Sequence, residues 1–150
     1  MWVSIYRNSN KIMSNTPTFV IVEDNPITVI CLTEWLKLLA EMKTAPTPII
    51  HSASTHSDAM NLMELLPETV CWILDGNYPE SPGKLAVCMW PTTAKYIQQK
   101  RKDTGDIIIW FTSDPSVYTG SGIRVFDKAD SDLFLDSLST IIDNTPNIQL

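Results

Sequence analysis

Acidic, hydroxyl and ammonium side chains follow four short apolar stretches of the chain. They are Glu23 and Asp24 after TFVIV, Asp75 after TVCWIL, Thr112 and Ser113 after DIIIWF, and Lys128 shortly after IRVF. Three ionised carboxylates repel one another in a small space unless a cation offsets their charge. Magnesium suits this role because it takes oxygen ligands octahedrally and keeps several waters. A hydroxyl and an ammonium group can stabilise a phosphoryl group that arrives on one carboxylate, so the set predicts magnesium-assisted phosphoryl transfer to an aspartate.

These side chains meet only if the strands before them lie side by side. The apolar stretches predict strands over residues 18–22, 69–74, 106–111 and 123–126, and a weaker strand over 48–51. Helical spacing of apolar residues predicts helices over about 26–41, 57–66, 84–102 and 131–142, with a kink or interruption at Pro91. Residues 76–83 contain two prolines and two glycines and predict a loop. Alternating strands and helices predict a parallel sheet covered on both faces, with functional groups beyond the carboxyl ends of its strands.

Length, charge and cysteine usage limit the classes of function. The 150 residues suit one domain, and we expect a poorly ordered leader over residues 1–16 before a domain over 17–150. The net charge of −6 disfavours direct nucleic-acid binding. No apolar run reaches the roughly 18 to 20 residues that span a bilayer, so no membrane insertion is expected. Cys31, Cys71 and Cys88 lack CxxC spacing, which indicates buried, reduced thiols in a cytoplasmic protein.

Four motifs, taken in order, resemble the signature of a known family. VEDNP, ILDGNYP, WFTSD and VFDKAD, each at the end of a predicted strand, look like those of the response-regulator receiver family over Thr18 to Ile142. The resemblance implies a doubly wound, flavodoxin-like α/β fold with five parallel strands in the order 2-1-3-4-5. It also implies roles for six residues: Asp75 as phosphoacceptor and metal ligand, Asp24 as a direct magnesium ligand, Glu23 acting on the metal largely through water, the backbone carbonyl of Asn77 as a further ligand, Thr112 as a hydrogen-bond donor to the phosphoryl group, and Lys128 as its ion-pair partner.

The resemblance implies a cofactor and partners as well. With Mg²⁺, or Mn²⁺ in its place, a phosphohistidine or a small phosphodonor would transfer its phosphoryl group in line to Asp75, and the acyl phosphate would later hydrolyse. The domain would therefore catalyse its own phosphorylation and dephosphorylation without being a metabolic enzyme. The implied partners are a sensor histidine kinase or histidine phosphotransfer protein, a downstream protein target, and a second copy in a homodimer.

The chain departs from the family pattern between its last two strands. Only 16 positions separate Thr112 from Lys128, too few for the full helix that receivers usually carry there, so this fourth helix is predicted to be shortened or missing. Ala129 stands where a proline commonly follows the lysine. A non-phosphorylated pseudo-receiver that serves as a protein-interaction module is therefore the alternative hypothesis. A phosphatase or hydrolase is disfavoured, because such enzymes generally need a second aspartate where this chain has Asn77.

Purely structural interpretations compete with the chemical ones. Asp24 is a candidate helix N-cap and Asp75 a candidate turn former, although the ordered set of motifs favours chemical roles. His51 and His56 stand five positions apart in a polar segment, which favours a surface loop over a metal pair.

The tryptophans have a structural interpretation that we prefer. Trp72 and Trp110 lie inside apolar stretches, and this predicts packing in the core rather than stacking on nucleic-acid bases.

Overall fold

The computed structural model describes residues 16–66, 69–113 and 122–144. Its strands are β1 (Thr18–Val22), β2 (Ile49–Ala53), β3 (Val70–Leu74), β4 (Asn77–Pro79), β5 (Ala86–Cys88), β6 (Ile107–Thr112) and β7 (Arg124–Asp127). Its helices are α1 (Pro26–Met42), α2 (His56–Met63), α3 (Trp90–Lys100) and α4 (Ser131–Asn144). Nearly all of the predicted leader lies outside the described residues, and so does the segment 114–121, on which the prediction of a shortened helix falls. None of the helices described is long and apolar enough to cross a membrane.

Five of the strands form one parallel sheet in the order β2-β1-β3-β6-β7. Val22 at the end of β1 lies opposite Leu74 at the end of β3. Leu74 in turn lies opposite Trp110 of β6, and Thr112 lies opposite Asp127 of β7. Because β6 and β7 are the fourth and fifth strands of this sheet, the predicted doubly wound α/β fold with the strand order 2-1-3-4-5 is confirmed.

Apolar side chains fill both faces of the sheet. The central strands β1 and β3 are buried along their whole length, as expected for parallel strands covered on both sides. Helices α1 and α4 cover one face with Leu36 and Leu138, while α2 and α3 cover the other, where Ile97 packs. Trp72 is 0% and Trp110 3% exposed, which confirms their predicted place in the core. Full burial of one such large apolar side chain stabilises the fold by about 1.5–3 kcal/mol.

A two-stranded hairpin replaces the loop predicted after Asp75. Strands β4 and β5 pair antiparallel, and Gly83 between them has a φ of 85°, which glycine adopts without strain. The helix predicted over 84–102 is wrong at its start, because α3 begins only at Trp90. Pro91 lies in the first turn of α3, where a missing amide hydrogen costs no helical hydrogen bond. The predicted interruption at Pro91 is therefore the beginning of the helix.

Predictions for the histidines and cysteines also need correction. His51 lies in β2 and His56 begins α2, so neither belongs to a surface loop. Cys71 is buried as predicted, whereas Cys31 and Cys88 are exposed. Cys31 stands one position before Leu32, from which the buried side of α1 repeats, and Cys88 lies in the hairpin that the sequence pattern did not predict.

A buried ion pair closes the amino-terminal edge of the sheet, opposite Asp75. The carboxylate of Asp106, just before β6, accepts hydrogen bonds from the guanidinium of Arg101, from Trp72 Nε1 at 2.9 Å and from the Val70 amide at 2.9 Å. The side chains of Arg101 and Asp106 are only 8% and 4% exposed. Burial alone would raise the pKa of Asp106, but the hydrogen bonds from Arg101 and Trp72 outweigh it and lower the pKa below its usual value.

The lowered pKa of Asp106 predicts a pH dependence of stability. Its ionised form stabilises the native state fully above the unfolded pKa of about 3.9, and this contribution is lost as the pH falls through the lower folded pKa. We expect the urea midpoint of the wild type to exceed that of Asp106→Asn at neutral pH and to approach it in acid, when both are followed by circular dichroism. A gap that stays constant across the acid range would contradict the assigned pKa shift.

Candidate functional site

Three carboxylates leave the carboxyl ends of the two central strands. The pairing of Val22 with Leu74 brings the residues that follow them, Glu23 and Asp75, to the same edge of the sheet. The Asp75 amide donates to the Val22 carbonyl at 3.0 Å, which extends the ladder up to the site. Glu23, Asp24 and Asp75 can each offer a carboxylate oxygen such that all three oxygens lie within 4.8 Å of one another. We call these three residues the acidic cluster.

Asn25, and not Asp24, caps helix α1. The Asn25 side chain accepts a hydrogen bond from the Ile27 amide at 3.0 Å, and Pro26 takes the first turn of the helix. The alternative that Asp24 is only an N-cap is therefore wrong. Asp24 stays exposed at the rim of the acidic cluster, where its carboxylate can meet a ligand from solvent.

Lys128 brings a positive charge to Asp75. Its Nζ lies 2.5 Å from Asp75 Oδ1, and also 5.9 Å from the centre of the Phe111 ring. The backbone fixes this approach, since the Lys128 amide donates to the Thr112 carbonyl at 2.7 Å as β7 ends. The Ala129 amide donates to Asp127 Oδ1 at 2.8 Å, so the turn after β7 holds without a proline at position 129.

The pKa values of Glu23 and Asp75 shift in opposite directions. Glu23 is only 6% exposed, and its Oε2 is buried with no hydrogen-bond partner among the described residues. Burial, the hydrogen bond with Asp75 and the charge of Asp75 raise the pKa of Glu23 to about 8. Burial also acts to raise the pKa of Asp75, but hydrogen bonds from Glu23 and Lys128 outweigh it, so the pKa of Asp75 is lowered. The cluster thus combines a buried carboxylate oxygen that has no hydrogen-bond partner among the described residues with two neighbouring acids. Oxygen ligands of this kind fit a hard divalent cation.

The other predicted site residues lie around this cluster. Thr112 is buried at the end of β6, the strand next to β3, and Ser113 beyond it is exposed. Asn77 is exposed two residues after Asp75, at the start of β4, where it pairs with Cys88 of β5. Asp114, the last residue of the WFTSD motif, lies outside the described residues.

No family model and no curated protein matches the sequence, but solved structures match the fold. A sensor protein from Polaromonas sp. JS666 matches with a TM-score of 0.57 and 16% identity, covering 87% of this chain and 98% of that one. A CheY-like response regulator receiver domain from Methylobacillus flagellatus matches with a TM-score of 0.52 and 16% identity, covering 82% of this chain and 98% of that one. This chain has the receiver fold.

A longer response regulator matches the same receiver fold. RcsB from Salmonella enterica serovar Typhimurium, bound to the promoter rprA in the presence of the phosphomimetic BeF3-, matches with a TM-score of 0.54 and 19% identity. The match covers 83% of this chain but only 62% of that one, so this chain corresponds to part of RcsB. Sequence identities of 16–19% support a shared fold, but they do not establish that the residues of this chain have the same chemical roles.

Solvent reaches the acidic cluster of this receiver fold from the side of α1 and α2. A groove of about 550 Å³ opens there, with Glu23 and Asp24 at one end and apolar side chains such as Ile30 and Leu62 along its walls. The groove gives solvent access to Glu23 and Asp24, whereas Asp75 is not among its lining residues.

The sequence did not predict a set of polar residues that lies where the hairpin packs against α2 and α3. His56, Tyr78 and Thr93 come from three different elements and meet through the Thr93 hydroxyl. In the sequence, His56 is 37 positions and Tyr78 is 15 positions from Thr93, so no local spacing pattern links the three residues. Tyr78 lies in β4, whose pairing with β5 the sequence did not predict.

Proposed function

We propose that this domain is a phosphoacceptor receiver of a two-component phosphorelay, in which Asp75 accepts a phosphoryl group in a magnesium-dependent reaction. The observation that carries the proposal is the contact of the half-buried Asp75 with the buried acid Glu23 and with Lys128 at the carboxyl edge of the sheet. Three acids this close together, one of them buried, repel one another when ionised, and a divalent ion bound there would offset that repulsion. A turn or a helix cap would need none of these charges.

Each residue of the site has a part in the proposed transfer. Asp24, Asp75 and the Asn77 carbonyl would hold Mg²⁺ or Mn²⁺, with Glu23 acting largely through water, and the ion would supply positive charge for the phosphoryl oxygens. An Asp75 carboxylate oxygen attacks phosphorus in line, so that an O–P bond forms while the P–N bond to the donor histidine breaks and that nitrogen keeps the electron pair. The lowered pKa of Asp75 keeps this nucleophile ionised at neutral pH.

Lys128 and Thr112 would receive the transferred group. Lys128 Nζ already donates to Asp75 Oδ1. Once Asp75 is phosphorylated, the same ammonium group can form an ion pair with a phosphoryl oxygen. The hydroxyl of Thr112 stands at the neighbouring strand end as a hydrogen-bond donor. Hydrolysis of the acyl phosphate then returns Asp75 to its ionised state.

The proposed partners are proteins. A sensor histidine kinase or a histidine phosphotransfer protein would donate the phosphoryl group in the cytoplasm, and a downstream protein or a second copy in a homodimer would read the result. We propose no direct contact with nucleic acid, because the net charge of −6 opposes it. The pseudo-receiver alternative was raised by the segment before β7, most of which lies outside the described residues, and no described contact favours it.

Magnesium binding tests the metal part of the proposal. Trp110 is a suitable fluorescent reporter because its indole lies beside Gly76, the residue that follows Asp75. A Cβ atom added at Gly76 would be 3.6 Å from Trp110 Nε1. The Trp110 ring also stacks on Trp90, with 4.0 Å between the ring centres. We expect tryptophan fluorescence to change on addition of Mg²⁺ with an affinity in the millimolar range, and Asp24→Ala to remove the change. The matched control is Asp136→Ala, an exposed acid on α4. Equal titrations for Asp24→Ala and the wild type would rule out the acidic cluster as the metal site.

The charge of Lys128 is expected to speed phosphorylation. Lys128→Met keeps the length of the side chain and removes one hydrogen bond to a charged group, an interaction of about 1.5–3 kcal/mol, or roughly 10- to 100-fold in rate. The measurement is the rate of phosphoryl incorporation from acetyl phosphate by intact-mass spectrometry. Lys43→Met, which removes an exposed ion pair with Asp143, is the control and should react like the wild type. An unchanged rate for Lys128→Met would show that Lys128 has no part in the transfer.

A further inference from the structure

Three polar side chains from three elements share one hydroxyl behind the hairpin. The Tyr78 hydroxyl of β4 donates to Thr93 Oγ1 of α3 at 2.6 Å, and His56 Nδ1 of α2 lies 2.8 Å from the same oxygen. Thr93 Oγ1 itself donates to the Met89 carbonyl at 3.2 Å. Tyr78 and Thr93 are each 0% exposed, so water does not replace these contacts.

The Thr93 hydroxyl is the shared partner of this group. A threonine hydroxyl has one hydrogen and two lone pairs. It accepts from the Tyr78 hydroxyl and can donate to the Met89 carbonyl, while the donor in its contact with His56 Nδ1 depends on the tautomer of the imidazole. Loss of one member leaves a buried polar group unpaired, which is unfavourable, so the group defines one geometry.

A chain of hydrogen bonds joins this group to the residue after Asp75. The Met89 carbonyl accepts from Thr93, while the Met89 amide donates to the Gly76 carbonyl at 3.2 Å. The Trp90 amide also approaches the Gly76 carbonyl, at 3.4 Å. The backbone from Gly76 to Tyr78 is thus held at both ends, at Gly76 through Met89 and at Tyr78 through its own hydroxyl.

The hairpin needs such anchors. It has only three residue pairs, and all three residues of β5 are exposed. A two-stranded hairpin is marginally stable in water unless it packs on something else. The buried Tyr78 ring, with its hydroxyl on Thr93, supplies that packing next to Asn77.

We propose that Tyr78, Thr93 and His56 are positioning residues for the divalent-cation site, because they hold the Gly76 to Tyr78 backbone so that the Asn77 carbonyl meets an ion bound at the acidic cluster. The inference rests on the proposed function, since it assumes that the cluster binds Mg²⁺. Residues that orient a metal ligand without touching the metal typically change metal affinity about 10- to 100-fold when they are removed.

The test compares Mg²⁺ affinity among single variants of the full chain, measured by tryptophan fluorescence. Tyr78→Phe and Thr93→Val each delete one hydroxyl at nearly constant volume, and we expect each to weaken Mg²⁺ binding about 10-fold. Thr93→Ser keeps the hydroxyl and should bind like the wild type. The matched controls are Tyr96→Phe and Thr92→Val, which delete exposed hydroxyls of the same helix α3.

Amide hydrogen exchange in the metal-free protein is the second readout. The amides of residues 76–78 should exchange faster in Tyr78→Phe and Thr93→Val than in the controls, because local opening is easier when the anchors are lost. Urea unfolding of each variant confirms that the folded state is measured.

The outcomes separate this inference from the proposed function. Weaker Mg²⁺ binding in folded Tyr78→Phe and Thr93→Val, with recovery in Thr93→Ser, supports the positioning role. Unchanged Mg²⁺ affinity in these variants, even with lower stability, overturns it and leaves the metal site standing. Absence of Mg²⁺ binding by the wild type would overturn both.

Discussion

Asp75→Asn is expected to abolish phosphorylation by acetyl phosphate. The substitution keeps the shape of the side chain but replaces the carboxylate nucleophile with a neutral amide, and it removes the anionic partner of Lys128. The backbone bond from residue 75 to Val22 does not depend on the side chain, so the strand ends should stay in register. Phosphoryl incorporation, followed by intact-mass spectrometry, should fall below detection while the circular dichroism spectrum stays that of the wild type.

A matched aspartate separates the acceptor from any other acid. Asp136→Asn changes an exposed aspartate on α4 in the same chemical way, and it should react at the rate of the wild type. Phosphorylation of Asp75→Asn at an undiminished rate would mean that the acceptor is a different residue.

Among the substitutions considered, Asp106→Ala is expected to lower the free energy of unfolding the most. The substitution leaves the guanidinium of Arg101 buried without its carboxylate and also removes the acceptor of Trp72 Nε1 and of the Val70 amide. Breaking a buried ion pair by removing one partner costs about 3–5 kcal/mol, mainly because the other charge stays desolvated. The free energy of unfolding, measured with urea, should fall by this amount.

Asp103→Ala is the control for this loss. Asp103 is exposed in the turn between α3 and β6, so its removal should change the free energy of unfolding by no more than about 0.5 kcal/mol. If Asp106→Ala costs less than about 1 kcal/mol, the pair behaves as an exposed ion pair and the account of the amino-terminal edge is wrong.

The sequence predicted the strand ends well because they depend on local patterns. Short apolar stretches that stop at acids or hydroxyls specify both a buried parallel strand and its functional end. The structure brings Glu23, Asp24, Asp75 and Lys128 together at one edge of the sheet, as their positions at the strand ends predicted. The roles of these residues in phosphoryl transfer remain proposals.

What the sequence did not predict depends on contacts between distant residues. Asp106 finds Trp72 across 34 positions, and His56 finds Thr93 across 37, so no periodic pattern contains either contact. The hairpin was missed because AVC is short and exposed, and because Pro91 has the same sequence signature inside a helix as at its first turn.

The capping of α1 shows a similar limit. Asp24 and Asn25 are both good N-cap residues, and the sequence alone does not choose between them. Pro26 in the first turn and the bond from the Ile27 amide to the Asn25 side chain decide for Asn25, which leaves the Asp24 carboxylate at the acidic cluster.

The most direct test of phosphoacceptor function is mass spectrometry of the wild-type chain after treatment with acetyl phosphate. With Mg²⁺ present, we expect the mass to rise by one phosphoryl group, and fragmentation to locate that group on Asp75. Chelation of the metal before treatment should prevent the increase. An unmodified protein in the presence of Mg²⁺, or a phosphoryl group on any residue other than Asp75, would contradict the account.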